Sequence, residues 1–165
     1  MSNKIITKIM TELTQKKTIR LEWKRTTFAN MGTEKNTYFY MFERFGRIIY
    51  IGMTAVSSEQ SVQDEINSKI PDKLNGNKHG IIVWLGYKTI NINIKAPVLR
   101  LNDNIVREVE NLLIYKVKPC ENIQCKDNYN GRDLRIINKG CPLLPDEIDS
   151  TKLKTKENNL KNLRR

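Results

Sequence analysis

The sequence predicts a domain of the α/β (α+β) class, in which a small, mostly antiparallel sheet is flanked by helices and carries basic extensions at both ends. Two observations predict this class. Two aromatic, β-rich segments lie on either side of a short stretch that contains glycine, a pattern typical of a β-hairpin. Apolar residues at helical spacing occur before and after that hairpin. A length of 165 residues is close to the size of one domain with one hydrophobic core.

The segment before the hairpin combines a predicted helix with a basic stretch. Apolar residues at helical spacing predict an amphipathic helix over residues 3–15. Residues 18–27 are basic and include Trp23, and two interpretations of them stay open, an arm and an edge strand. We predict a domain organisation of 1–36 for the N-terminal helix and basic arm, 37–140 for the central domain and 141–165 for a basic C-terminal tail.

The hairpin itself is predicted from Tyr38-Phe39-Tyr40 and Tyr50-Ile51-Gly52. A three-residue loop, Arg44-Phe45-Gly46, would place Gly46 in the left-handed position that such loops need. This register puts Tyr40 opposite Tyr50, with both phenols on one face and Cβ atoms about 5 Å apart. A two-residue turn at Phe45-Gly46 would shift the register by one and put the phenols on opposite faces. We predict the three-residue loop.

Further elements follow the hairpin. The first is a short helix with Val62, Ile66, Lys69 and Ile70 that ends at Pro71. Residues 81–85 and 89–94 are predicted as β-structure with a bend at Gly86-Tyr87. A second helix is predicted from Asn102 or Asp103 to about Val117, where Pro119 stops it, and a strand is predicted over 134–137. From residue 150 onward, six basic residues and one acid with few apolar side chains predict a tail that is frayed or packs only on a partner.

Charge indicates the class of partner. Lys and Arg total 29 against 18 Asp and Glu, for a formal net charge of +11, which favours a polyanion such as DNA, with RNA not excluded. The ordinary alternative is charge that only confers solubility. No apolar run is long enough for a membrane helix, and the N-terminus lacks the features of a secretory signal, so we predict an intracellular, cytoplasmic protein without membrane contact.

The motifs, taken in order, resemble those of the GIY-YIG nuclease family over roughly residues 37–123. Tyr38-Phe39-Tyr40 keeps only the last tyrosine of the first family motif, whereas Tyr50-Ile51-Gly52 matches the second motif. Glu110 in a predicted helix and Asn122 after it are similar to the family's glutamate and terminal asparagine. The resemblance implies a metal-dependent endonuclease that hydrolyses phosphodiester bonds in DNA with Mg²⁺ or Mn²⁺.

The resemblance also implies a role for each matched residue. Glu110 would coordinate the divalent cation, and Tyr40 and Tyr50 would orient or activate the attacking water. Asn122 would hold the active-site loop and hydrogen-bond on the phosphate side. Each residue also has an ordinary structural interpretation. These are an ion pair of Glu110 with Arg107, cross-strand aromatic packing for the tyrosines, and turn chemistry for Asn122.

One family residue is missing from the chain. The family carries an arginine aimed at the scissile phosphate on the helix after the second motif, but residues 51–99 contain no arginine. Alignment on the helix puts Glu65 at that position, and an ungapped count puts Gln60 there. Candidate substitutes and further nucleic-acid contacts are Lys69, Lys73, His79, Arg44, Arg47 and Lys118. His79 is also a candidate general acid or base, with an inert loop histidine as the alternative.

The missing arginine leaves two other functions open. One is a catalytically weakened GIY-YIG-like protein that binds nucleic acid or a partner protein. The other is a structural subunit of a nucleoprotein assembly, with basic termini that contact RNA. The termini would matter more than any pocket in that last case.

Overall fold

Six strands form one sheet in the computed structural model, which describes residues 17–31, 37–54, 62–88 and 103–155. The strands are β1 (Lys17–Thr26), β2 (Thr37–Arg44), β3 (Arg47–Met53), β4 (Ile81–Lys88), β5 (Leu134–Lys139) and β6 (Glu147–Asp149). Their order is β3-β2-β4-β1-β5-β6, and every neighbouring pair is antiparallel except β1 and β5. The predicted mixture of helices with a mostly antiparallel sheet is therefore confirmed.

Two α-helices, α1 (Val62–Leu74) and α2 (Asp103–Val117), cover opposite faces of the sheet. Successive side chains of a strand point to opposite faces, so β2 contributes to two cores. Tyr40 and Phe42 pack with the buried side of α1, whereas Phe39 and Met41 belong to the core that contains α2. In α1 the buried residues recur every fourth position, at Val62, Ile66, Ile70 and Leu74. No helix in the described ranges is long and apolar enough to cross a membrane.

β1 lies inside the sheet, between β4 and β5. Ile19, Leu21 and Trp23 are buried on one of its faces, and both edges of the strand are paired. The predictions of an arm or an edge strand are therefore wrong, because β4 and β5 pair with the two edges of β1 and leave it inside the sheet. The sheet runs through the boundaries predicted at 36/37 and 140/141, which fall between its strands. The helix predicted at 3–15 lies outside the described residues.

The hairpin has a two-residue turn, so the predicted three-residue loop is wrong. Arg44 pairs with Arg47, and Phe45 and Gly46 between them have φ of 51° and 72°, the positive values of a type I′ turn. The register shifts one step further on, where Glu43 pairs with Ile48 but Phe42 pairs with Tyr50. This β-bulge, with one extra residue on β3, returns Tyr50 to the face of Tyr40, although Tyr40 is opposite Gly52.

Two predicted ends also differ from the structure. Pro71 lies inside α1, which continues to Leu74, because burial of Leu74 against the sheet offsets the hydrogen bond that proline cannot donate. Residues 150–155 are helical rather than frayed. Ser150 is fully buried and its hydroxyl accepts a hydrogen bond from the Leu134 amide at 2.9 Å. The start of the tail is thus held against β5.

Candidate active site

A cavity of about 290 Å³ lies where β3, α1, α2 and the loop after α2 meet. It brings together four residues that the sequence singled out, namely Tyr50, Lys73, Glu110 and Asn122. These residues come from segments up to 72 positions apart in the chain, so the fold and not local sequence assembles them. The other lining residues are Asn111, Ile114, Ile123, Gln124 and Cys125.

The two predicted tyrosines share a face but differ in access to the cavity. Their ring centroids are 6.0 Å apart, which confirms that they lie on one side of the sheet. Tyr40 is 0% exposed, whereas Tyr50 is 8% exposed and lines the cavity. The Tyr40 ring lies across Gly52, where an added Cβ would be 2.4 Å from the Tyr40 Cζ atom. Glycine at position 52 therefore provides the space that the ring occupies.

Both phenols are neutral at physiological pH. Burial raises the pKa of Tyr40 far above its usual range, and burial also raises the pKa of Tyr50. The negative charges of Glu65 and Glu110 add to both increases. Interaction with the Tyr40 hydroxyl lowers the pKa of Tyr50, but by less than burial raises it. Within the described residues no partner has full hydrogen-bond geometry to the Tyr40 hydroxyl, and Tyr50 is the phenol that can meet solvent.

Glu110 is a half-buried carboxyl on α2. Burial raises its pKa to about 7, and the amide hydrogen bond from Met53 and the positive charges of Arg107 and Lys69 only partly offset that effect. Arg107 thus acts from a distance, and no ion pair joins it to Glu110 in the described part of the chain. A carboxyl with this pKa exchanges a proton near neutral pH, the property that a general base or a pH-sensitive ligand needs.

One face of α1 adds charged side chains beside the cavity. Glu65, Lys69 and Lys73 follow one another at intervals of four residues, which places them in one row along the helix. Lys69 Nζ lies 3.7 Å from Glu65 Oε1, and Lys73 Nζ lies 5.8 Å from the centroid of the Tyr50 ring. Since the charge of Glu65 raises the pKa of Tyr50 and of Glu110, Glu65 is within electrostatic range of both. Gln60 lies outside the described residues.

Asn122 attaches the loop after α2 to the free edge of β3. Its Oδ1 accepts from the Ile51 amide at 2.9 Å, and its Nδ2 donates to the Ile51 carbonyl at 2.8 Å. The neighbouring Glu121 amide donates to the Ile49 carbonyl at 2.9 Å. The loop therefore pairs with an edge strand as another strand would. Both ends of the Asn122 amide are used in holding the loop.

Four predicted residues lie away from the cavity. Arg44 Nη2 donates to the Asn77 carbonyl at 3.1 Å near the hairpin turn, and Arg47 is exposed at the same end. His79 is exposed in the turn before β4, where its amide donates to Asn77 Oδ1. Lys118 Nζ lies 5.4 Å from the Tyr115 ring centroid. The structure therefore separates these side chains from Tyr50 and Glu110.

Several lining residues had no signal in the sequence. Asn111 follows Glu110 directly, and its Oδ1 accepts a hydrogen bond from the Cys125 thiol at 3.1 Å. Cys125 has a φ of 63° and lines the cavity. A loop without periodicity gives no indication of such a contact. Only the position of Asn111 beside Glu110 could have suggested a role in the site.

Among the described residues that line the cavity, Glu110 is the one carboxyl that could contribute to a cation site. In the described ranges no three His, Cys, Asp or Glu side chains come together in a cluster that could hold a metal. Mg²⁺ usually keeps several waters and binds through one or two carboxylates together with phosphate oxygens. Glu110 could be one such carboxylate. Burial disfavours its ionised form, and a nearby cation would favour that form.

Comparison of the sequence with protein-family models gave no match, and comparisons with curated proteins and with solved structures found no similar protein.

Proposed function

We propose that this protein is a GIY-YIG-like, metal-dependent endonuclease that hydrolyses phosphodiester bonds in DNA. One observation carries the proposal, which is that Tyr50 of β3 and Glu110 of α2 line a single cavity. The resemblance implies a phenol and a carboxyl at one site, and Tyr50 and Glu110 supply them, each with a pKa that burial raises. A formal net charge of +11 supports a polyanionic substrate.

Each side chain has a distinct part in this proposal. Glu110 would hold Mg²⁺ or Mn²⁺, and the bound ion would neutralise charge on the phosphoryl oxygens and the leaving group. Tyr50, which stays protonated, orients the attacking water through its hydroxyl rather than removing a proton from it. Lys73 beside the Tyr50 ring supplies positive charge for the phosphate. Tyr40 supports Tyr50 from the interior, and Asn122 holds the loop that closes the cavity.

Nicking of supercoiled plasmid DNA in the presence of Mg²⁺ or Mn²⁺ tests the proposal. Tyr50→Phe should reduce nicking by about 100-fold, the usual cost of one preorganised group. Tyr40→Phe is the matched control, because it removes a phenol that is buried away from the cavity. We expect it to retain most of the nicking. Equal loss in both variants would contradict the division of roles between the two tyrosines.

A second function is favoured by the position of Glu65. Its carboxylate is within electrostatic range of Tyr50 and Glu110, and a negative charge there repels a phosphate. We therefore propose, as the alternative, a weakened enzyme that still binds DNA. Glu65→Gln would remove the repulsion, and Glu65→Arg would also add a bidentate phosphate donor. In this alternative, nicking is weakest for the unaltered chain, higher for Glu65→Gln and highest for Glu65→Arg. All three proteins bind DNA.

Equal nicking in the three forms would exclude that alternative. Robust cleavage by the unaltered chain would then assign the phosphate contact to Lys69 or Lys73 of α1.

A further inference from the structure

The tip of the β2–β3 hairpin carries an aromatic side chain that the fold does not use. Phe45 is 90% exposed, and Ile123 is the other large apolar side chain that is similarly exposed within the described part of the chain. Phe45 follows Arg44 and precedes Gly46 and the exposed Arg47. A single exposed apolar side chain is common on protein surfaces, so the backbone conformation at Phe45 is what sets this residue apart.

The backbone at Phe45 is also unfavourable for an aromatic residue. Its φ of 51° lies in the left-handed region, where Asn, Asp and Gly are the usual occupants of a type I′ turn. A side chain that is both unfavourable in its turn and exposed to solvent points to a role in an interaction. The ring is isolated, whereas a stable protein interface buries a broad patch of surface. The exposed Arg47 two residues on favours an anionic partner.

We propose that Phe45 is a wedge that stacks on, or inserts between, bases of a bound nucleic acid while Arg47 contacts the adjacent phosphate. Apolar wedges of this kind unstack base steps, and aromatic rings stack on bases without regard to sequence. The inference rests on the proposed binding of nucleic acid and assigns it a second contact point.

The hairpin sets the distance between the wedge and the candidate active site. Three ladder steps lead from the pair Phe42–Tyr50 to the turn, or about 10 Å at the usual rise of a strand. Successive nucleotides of one DNA strand are separated by about 3.4 Å. The wedge would therefore act about three nucleotides from a phosphate bound at Tyr50, close enough to bend or open the substrate beside the site of cleavage.

Phe45→Asn tests the wedge without damage to the fold, because Asn-Gly is the preferred type I′ pair. The variant should be at least as stable as the unaltered protein in thermal unfolding. Binding of a short duplex that carries 2-aminopurine is measured by anisotropy over a range of salt concentrations, and base unstacking by 2-aminopurine fluorescence. We expect affinity about 5- to 100-fold weaker for Phe45→Asn, with an unchanged salt dependence and no fluorescence change.

Phe45→Trp and Arg47→Gln are the matched controls. Phe45→Trp should keep both the affinity and the fluorescence change, whereas Arg47→Gln should reduce the salt dependence by about one phosphate contact. Equal affinity and equal fluorescence change for Phe45→Asn and the unaltered protein would overturn the wedge and assign the tip to another partner. Absence of salt-dependent binding by the unaltered protein would overturn the proposed function, and the wedge with it.

Discussion

At the scale of single residues, the ionised carboxylate of Glu110 would be the metal ligand of the proposed site, but its burial costs the folded protein stability. Its pKa is raised from 4.5 to about 7 in the folded protein, mainly by burial. The folded state therefore holds a proton that the unfolded state has lost between these two values. Its contribution to stability is fully present below pH 4.5 and is lost as the pH rises through about 7. Above that pH the folded protein keeps an unfavourable buried charge.

Glu110→Gln should accordingly stabilise the protein at pH 8. The amide keeps an oxygen that accepts the Met53 hydrogen bond but carries no charge. We expect the free energy of unfolding at pH 8 to increase by about 1–3 kcal/mol, with little change at pH 4. Urea denaturation of both proteins at pH 4 and at pH 8 measures these free energies of unfolding. A variant that is less stable than the unaltered protein at pH 8 would show that Glu110 is stabilised by its surroundings.

Gly52 is a second residue at which a substitution tests the packing of the Tyr40 ring. A methyl group there would overlap the Tyr40 ring, which an added Cβ would approach to 2.4 Å. Gly52→Ala should lower the free energy of unfolding by about 1–3 kcal/mol in chemical denaturation. The same change in a Tyr40→Leu background should cost less, because the ring is gone. Equal costs in the two backgrounds would show that the clash is relieved elsewhere.

The sequence predicted single residues better than their surroundings. Tyr50 and Glu110 were found from motif and helix position, and the structure places both at one cavity. The different exposure of Tyr40 and Tyr50 could not be read from the sequence, since both follow the same alternating pattern. The role of Gly52 depends on a ring that crosses from the neighbouring strand, which is a tertiary contact.

At the scale of elements, Tyr40 and Tyr50 of the hairpin lie on one face of the sheet, as predicted, although the predicted register was wrong. The predicted three-residue loop places Gly46 in the left-handed region, whereas in the structure both Phe45 and Gly46 have a positive φ. A bulge on β3 then compensates for the shorter turn and returns Tyr50 to the face of Tyr40. The bulge keeps Tyr50 in the aromatic cluster that packs with α1, and a single segment contains no information about that packing.

The edge of β3 depends on Asn122. Asn122→Ala would leave the amide and the carbonyl of Ile51 without partners on a buried edge. We expect a loss of about 2–4 kcal/mol in the free energy of unfolding, from two unsatisfied buried groups. Hydrogen exchange at the Ile51 amide should increase together with it. Unchanged protection of Ile51 would mean that water or another group replaces the asparagine.

At the scale of the whole molecule, one sheet joins segments that the sequence assigned to three regions. β1 pairs with β4 on one side and, in parallel, with β5 on the other. The core that contains α2 likewise draws on residues from Ile19 to Ile148. Parallel pairing of strands more than 100 residues apart has no local signature, so the helices and the hairpin were predictable while the sheet order was not.

The basic C-terminal residues provide a test of nucleic-acid binding that leaves the sheet intact. Residues 156–165 include Lys156, Lys161, Arg164 and Arg165, whereas the helical residues 150–155 are attached to β5 through Ser150. Removal of residues 156–165 alone should weaken binding at low salt and lower the slope of log affinity against log salt concentration by up to about 3. A slope near zero in the full chain would contradict nucleic-acid binding altogether.

Metal-dependent cleavage measured under single-turnover conditions tests the proposed active site most directly. An end-labelled DNA duplex is incubated with an excess of the unaltered protein or of Glu110→Gln, with Mg²⁺, with Mn²⁺ and with a chelator. We predict cleavage by the unaltered protein that requires the metal, and a rate at least about 100-fold lower for Glu110→Gln, although that variant is folded and binds DNA. Equal rates for the two proteins, or cleavage that persists in the chelator, would contradict a hydrolytic site at Tyr50 and Glu110.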